Sequence, residues 1–510
     1  MLPRQRAEAS HDSISKAKEP SQPNPLSKPP PSRSSPLPPP SPSHRESNLS
    51  PFPAQHPPPP PPPSQEPHAA RQHAALARGI HLVVVGHVDA GKSTLMGHLL
   101  YLLGEVPERT MQKYERDAEK MKKGSFCFAW VLDETEEERS RGVTIDVGMS
   151  HFETDRHRFT ILDAPGHRDF VPNMISGASQ ADAALLVVAS STGEFEAGFE
   201  HGGQTREHAL LVRSLGVSQL VVAVNKLDTM DWSEARFYEI KEKLSLFLLG
   251  AGFRKDRVTF VPVSGFSGEN MVQLKTEALQ AWYEGPTLKE CLDALEPPAR
   301  ALEREFRLPV TDYFKGGATA GSGGSLTVSG RVEAGTVQMG DLVTVMPVGD
   351  HGSVKAIEMN GEVVKWAVAG DNVVLTLNGV EVERVGIGNV LCSPQSLMPV
   401  ADVVQVKIVT FDIAIPLTLG VPIVVHHQSA STPAIISKLV AVLNKSTGEV
   451  VKKNPRALPK NVTAIVDIKL ERPICVELAK VSRELGRLMI RSGSTVVAAG
   501  LVTEIVNRVK

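Results

Sequence analysis

Gly86-His87-Val88-Asp89-Ala90-Gly91-Lys92-Ser93 fills every place of the phosphate-binding loop pattern, and the apolar run Ile80 to Val85 stands directly before it. The helix-forming stretch Thr94 to Leu103 follows. Strand, glycine loop and helix in that order set the fold class: an α/β domain with a doubly wound, mostly parallel sheet and its chemistry at the strand ends. The glycines let backbone N–H groups turn onto phosphate oxygens, Lys92 is placed to neutralise the β and γ phosphates, and the Ser93 hydroxyl is placed to ligand Mg²⁺. Chance alone would produce the pattern in a chain of this length only on the order of a few times in a hundred. Gly86 through Thr94 are therefore the candidate triphosphate cradle.

Working outward, Asn225-Lys226-Leu227-Asp228 closes the apolar run Leu220 to Val224, and Ser264-Gly265-Phe266 follows the next one, Val258 to Val263. An Asp carboxylate can accept two hydrogen bonds from the guanine N1–H and N2–H₂ edge, which adenine lacks, so Asp228 selects GTP while Asn225 and the Lys226 stem support ring and loop. Ser264, Gly265 and Phe266 stand where a third base-contacting loop lies in GTPases. Four polar residues after a strand would be a bland turn by themselves; their place in the strand order makes them specific. Between loop and base motif stand Arg141-Gly142-Val143-Thr144 and Asp163-Ala164-Pro165-Gly166-His167. Ser93, Thr144 and Asp163 form the candidate Mg²⁺ set, Thr144 only while the triphosphate holds its loop. Gly166 lets a backbone N–H approach the γ-phosphate, and His167 stands where small GTPases carry the glutamine that orients the attacking water. A lone histidine after a glycine is usually a surface residue; behind Asp-x-x-Gly, catalysis is the better reading.

These four motifs together resemble the translational GTPases of the elongation factor 1-alpha superfamily. The resemblance runs from about Ile80 to the C-terminus. It implies that His167 is the catalytic histidine and that Val88 and Val143 form the apolar gate on its path to the water. The second gate is more often isoleucine in that family, a loss of one methylene that should modulate the gate without removing it. The stretch Gly193 to Glu200 before Gly203-Gln204-Thr205-Arg206-Glu207-His208 is similar to the eukaryotic and archaeal type. Ala129 to Glu134, Asp146 to Met149 and Leu443 to Val450 are most similar to the HBS-like branch. That branch implies delivery of a Pelota-like, tRNA-imitating protein to stalled ribosomes, with GTP cleaved to GDP, RNA met only through the ribosome, and a monomer when free. The competing branches are aminoacyl-tRNA carriers and class II release-factor GTPases. A different class, a GTP-gated scaffold with negligible hydrolysis, has no use for a water-positioning histidine.

Length and charge agree with this reading. At 510 residues with 41% apolar content the chain can hold several cored domains. A net charge of −2 provides no overall field for RNA, so ribosome contacts must come from local basic patches. Lys452-Lys453-Asn454-Pro455-Arg456 is one such short run, although for so short a run a solvated loop is the better reading. Cys127, Cys291, Cys392 and Cys475 lack metal or disulfide-framework spacing and read as idle thiols of a reducing compartment. No apolar run reaches the roughly 18 to 20 residues that cross a bilayer, so no membrane is involved. Residues 1–75 are read as a disordered Pro/Ser-rich tail: the proline run Pro57 to Pro63 extends as polyproline II and cannot pack a core. Its basic start is similar to a transit peptide, but its prolines spoil the amphipathic helix such peptides need, and the expected location is the cytoplasm. Residues 76–298 are the expected GTP-binding domain. The short β-branched runs that follow, cut by Gly and Asp turns, predict a β-barrel over 299–398 and a second over 399–510. The charged stretch Glu105 to Arg141 reads as helices, either a solvated pair or a mobile switch region.

Overall fold

The computed structural model describes residues 79–509 apart from 122–123, 134, 142–143, 145–146, 167–169, 201–202, 316–325 and 494. The tail read as disordered lies outside the described residues, as do His167, Val143 and the whole glycine-rich stretch Gly316 to Gly324.

The first domain is built on six strands: β1 (Gly79–Gly86), β2 (Gly148–Glu153), β3 (Arg158–Asp163), β4 (Ala183–Ala189), β5 (Gln219–Asn225) and β6 (Val258–Pro262). Their order in the sheet is β2-β3-β1-β4-β5-β6; five run parallel, and only β2 is antiparallel. β1 and β4 are near-continuous apolar runs because helices cover both faces. Alternate residues serve alternate cores: Val83 and Val85 join Leu186, Val222 and Phe237 on one side. Leu82 and Val84 join Phe159, Leu185 and Leu95 on the other. The covering helices are α1 (Lys92–Leu102), α2 (Glu108–Lys120), α3 (Glu136–Arg141), α4 (Val171–Ser179), α5 (Glu194–Phe199), α6 (Gln204–Leu215) and α7 (Glu234–Gly250). The strand order reverses at β1, next to which the glycine loop emerges, so a crevice at the carboxyl ends of the strands is dictated by topology.

Two β domains follow, as the alternating patterns predict. An eight-stranded sheet spanning Arg307 to Cys392 wraps a core of Leu308, Val328, Val345, Leu375 and Leu377. In the second, Pro422–His427 pairs with both Arg487–Ser492 and Ala430–Leu443, which closes the ring around Val406, Ile436, Val466 and Ile490. Met489 and Ala499 of this barrel pack into the core beside α4 and α6. Asp182, buried at the start of β4, receives Arg300 at 2.7 Å and Arg331 of the first barrel at 2.7 Å. These guanidinium groups hold its carboxyl well below the ordinary carboxylate range, against the opposing effect of burial. His81 beside them contacts the Gly370 carbonyl at 2.8 Å, and burial first, Arg331 second, push its pKa down to about 3. Arg307 joins the two barrels through Glu477 at 3.0 Å. All four cysteines are free and buried, as inert thiols should be. Among the described residues no helix is long and apolar enough to cross a membrane.

Candidate functional site

A cavity of about 540 Å³ opens at the predicted crevice. The candidate residues Val88, Asp89, Gly91, Lys92, Ser93, Thr94, Thr144, Gly166, Asn225, Lys226, Asp228, Ser264 and Phe266 all line it. Gly86 and Gly265 lie just beneath, while His87 and Ala90 turn toward a smaller neighbouring pocket walled by α5. Motifs separated by up to about 180 positions in the chain thus meet in one place because most follow the carboxyl end of a parallel strand of the same sheet, while Thr144 stands before the start of the antiparallel β2, which begins at that same edge.

At the phosphate end, Lys92 is buried, and its ammonium donates to the His87 carbonyl at 3.1 Å. Burial lowers its pKa, while Asp163, Asp89 and Asp133 oppose that shift. A Cβ on Gly166 would lie 2.5 Å from the Lys92 Nζ and 3.3 Å from the Gly86 carbonyl oxygen, so a side chain there would displace the Lys92 ammonium. The Ser93 hydroxyl donates to Asp163 Oδ2 at 2.9 Å and sits 3.2 Å from the Thr144 hydroxyl. The three residues expected to hold Mg²⁺ are therefore together. Asp163 Oδ1 is buried with no hydrogen-bond partner among the described residues, and burial pushes the Asp163 pKa up to about 6 despite Lys92 and Ser93.

Asp133 was legible only as part of a branch marker, and the structure gives it a place in the site. It is 3% exposed, lines the cavity, and its Oδ1 also lacks a partner among the described residues. Burial, then the negative charges of Asp163 and Glu138, push its pKa up to about 7. Two buried carboxylates, Asp163 raising the pKa of Asp133, together with two hydroxyls form a donor set that fits a hard divalent cation with retained waters. Among the described residues no group of three or more His, Cys, Asp or Glu is placed to hold a metal ion by itself.

At the base end, Asn225 is a bridge. Its Nδ2 donates to the Ala90 carbonyl at 2.9 Å, and its Oδ1 accepts from the Gly265 N–H at 2.8 Å, so one buried side chain ties the phosphate loop to the third base loop. Asp228 keeps Oδ1 buried and without a hydrogen-bond partner among the described residues. Lys226, at φ 61°, extends past the cavity to Glu194 of α5 at 2.8 Å, and the Phe266 ring stands exposed on the rim. The Ser264 hydroxyl is spent on its own turn, accepting from the Ser267 N–H at 3.1 Å, which leaves the backbone of that loop to meet a base.

Behind the phosphate loop, Gln204 at the start of α6 accepts from the Val88 N–H at 3.4 Å. At the far end of α6, Arg487 of the second barrel donates to the Leu215 carbonyl. His208 lies buried within this helix, and burial followed by the Lys92 charge pushes its pKa down to about 3, so it is a neutral wall of the site. The segment ahead of Thr144 is no loose pair of solvated helices. Phe128 stacks on His98 of α1 at 3.9 Å, Trp130 meets Tyr114 of α2 edge-on, and the Arg139 guanidinium lies 5.2 Å and 5.7 Å from those two rings. Arg139 Nε also donates to the Asp133 carbonyl at 2.8 Å, which fixes the backbone that carries that carboxylate.

Comparison with known proteins places matches along this architecture. The elongation factor Tu GTP binding domain model matches residues 77–297, the elongation factor Tu domain 2 model 326–392, and the GTP-eEF1A C-terminal domain-like model 403–503. Protein HBS1 of Drosophila melanogaster is 50% identical over 427 residues, 84% of this chain; the chain spans 63% of that relative's length. Elongation factor 1-alpha of Ignicoccus hospitalis is 42% identical over 430 residues, covering 84% of this chain and 96% of the relative. The Ski7 GTPase-like domain of S. cerevisiae, bound to GTP, shares the fold at a TM-score of 0.72 and 17% identity, covering 85% of this chain and 99% of the other.

Proposed function

Since the chain belongs to the elongation factor Tu and 1-alpha family of GTP-hydrolysing translation factors, we propose that its particular task is ribosome rescue. GTP-bound, it carries a Pelota-like, tRNA-imitating protein to a stalled ribosome and lets go after hydrolysis. The observation that carries this reading is the 50% identity to Protein HBS1, against 42% to an elongation factor 1-alpha over the same share of the chain. The HBS-like segments around Ala129 to Glu134 and Leu443 to Val450 point the same way.

The reaction is cleavage of the γ-phosphoanhydride by water. Lys92 and the glycine-loop N–H groups hold the β and γ phosphates and offset the charge that spreads onto the leaving oxygen. Mg²⁺, when bound, would supply further charge neutralisation; the Ser93 and Thr144 hydroxyls and the Asp163 and Asp133 carboxylates would hold it. Asp228 reads the guanine edge, with Asn225 and Lys226 supporting ring and loop. His167 positions the attacking water between Val88 and Val143, and the ribosome supplies the order around it. The protein works in the cytoplasm, free as a monomer, with RNA met only on the ribosome.

Two measurements test this. His167→Ala should keep GTP affinity within about twofold and lose roughly 100-fold or more of ribosome-stimulated single-turnover cleavage, because the side chain acts on water and barely touches the ground-state nucleotide. Equal loss of affinity and rate would make His167 structural. The GTP-bound protein should retain a Pelota-like protein and leave aminoacyl-tRNA unprotected; GTP-dependent protection of the aminoacyl ester with no Pelota-like protein retained overturns the rescue assignment and leaves the GTPase intact.

A further inference from the structure

A second cavity, of about 890 Å³, lies where the end of the first domain remote from the nucleotide, the connection Pro297 to Arg304 and both barrels come together. Nine Lys and Arg side chains line it against four Asp and Glu, in a chain whose net charge is −2. Arg254 is paired with Asp256 at 2.7 Å, but among the described residues several of the other cations have no acidic counterpart. Asp182 is consumed by Arg300 and Arg331, and Glu296 by Arg257 at 2.6 Å. Among the described residues Arg213 donates only to the Gly252 carbonyl, and Arg487 to the Leu215 carbonyl, where it caps the negative end of α6. Arg304, Lys480 and Arg483 have no acidic partner within ion-pair distance among the described residues. Arg331 is 6% exposed, and its Nε has no hydrogen-bond partner there either. The remaining acids, Glu333 and Glu484, are too few to balance this set.

The crowding shows in the guanidinium groups themselves. Arg487 is pushed down to about 10, by burial first and then by Arg483 and Arg213 against the help of Glu484. Arg213 is lowered by burial and by Arg483. Cations held against their own repulsion at the mouth of a low-dielectric cleft focus a field that draws in multivalent anions. Arginine in place of lysine at all but one of the nine positions favours a ligand with paired oxygens in one plane, as phosphate presents. The volume lies within the roughly 300 to 1,000 Å³ of ordinary ligand sites.

We propose that this cleft is a second anion site, which takes a ligand carrying two or more closely spaced phosphate groups and is held chiefly by Arg213, Arg331 and Arg483. Arg213 belongs to the first domain, Arg331 to the first barrel and Arg483 to the second. An anion there ties all three together, independently of the nucleotide and of the rescue reading.

The test uses the full chain loaded with excess GDP and Mg²⁺, so that the phosphate loop is filled. Tripolyphosphate is titrated by calorimetry, and a short single-stranded RNA by fluorescence anisotropy, both at about 0.15 M salt. Saturable one-to-one binding in either arm, with a raised melting temperature, is expected, together with a loss of at least about tenfold in affinity in the double variant R213S/R483S. The variant's unchanged GDP affinity shows that it is folded. Binding of tripolyphosphate alone assigns a free polyphosphate; tighter RNA binding that falls linearly with log salt and needs the same two arginines assigns a nucleic-acid backbone. No saturable binding in either arm, or binding undiminished in the folded variant, overturns the proposal.

Discussion

Asp228 keeps a carboxylate oxygen out of water with no hydrogen-bond partner among the described residues, a state that costs about 1–3 kcal/mol unless a ligand supplies donors. Guanine supplies two. Asp228→Asn should therefore weaken GTP by roughly 100-fold, as expected for charge-assisted bonds of about 1.5–3 kcal/mol each, and favour xanthosine triphosphate, whose 2-oxo group suits an amide donor. Unchanged GTP affinity sinks the assignment. At the same scale, buried histidines set the acid limit of stability. His81 and His208 are held neutral by burial at about 3, and His426 at about 4. Their folded pKa values lie below the unfolded value near 6.5, so their contribution is complete above pH 6.5 and is lost as the pH falls toward 3 to 4. His426 sits in the second barrel, far from the nucleotide, and His426→Gln should remove about 2 kcal/mol of the stability lost between pH 6.5 and 5 in urea titrations. A pH slope identical to that of the parent chain would show that His426 titrates normally. The motif residues were legible because each does its chemistry with its own atoms at a fixed offset from a strand. Asp133 was not, because what makes it matter is its distance from Asp163, thirty positions on, and no local pattern encodes that.

Among the elements, the stretch between α1 and Thr144 departs furthest from its sequence impression. Charges at Glu136, Glu137 and Glu138 announce solvent, and the aromatic residues Tyr114, Phe126, Phe128 and Trp130 follow neither a helical nor a strand period. Their common cluster with Ala118 and Cys127 exists only once α2 and the two short 3₁₀ turns fold back on α1. Arg139 closes this cluster and holds the backbone of Asp133. Arg139→Ala should leave GDP binding without metal nearly unchanged, yet reduce by about threefold to tenfold the factor by which Mg²⁺ slows GDP dissociation, since two or three lost contacts are worth about 1 kcal/mol. If the ratio of the two dissociation rates stays put, Arg139 only packs. The apolar strands that carry the phosphate and base motifs, by contrast, were readable because hydrophobic run and glycine or polar punctuation agreed there.

At the level of the whole molecule, the sequence announced two barrels but not what joins them. Asp182 opens an apolar strand, and its partners Arg300 and Arg331 lie 118 and 149 positions later in stretches that read as linker and barrel. Ion pairs between domains carry no sequence period, so only the folded chain reveals them. Asp182→Ala leaves two guanidinium groups facing each other with their counter-ion gone. It should cost about 3–5 kcal/mol and split one calorimetric unfolding transition into two, as the first barrel loosens from the α/β domain. A single transition at the parent temperature would show that the apolar contacts suffice. Helix α6 gives the joined domains a further property. One end bears on the nucleotide loop through Gln204, and the other is gripped by the second barrel through Arg487, about 18 Å away along the helix axis. A helix resists compression along its axis, so it works as a pushrod. The barrel can feel whether the loop is filled, and anything that tugs on the barrel from outside tugs on the loop, with no part of the intervening chain needing to unfold.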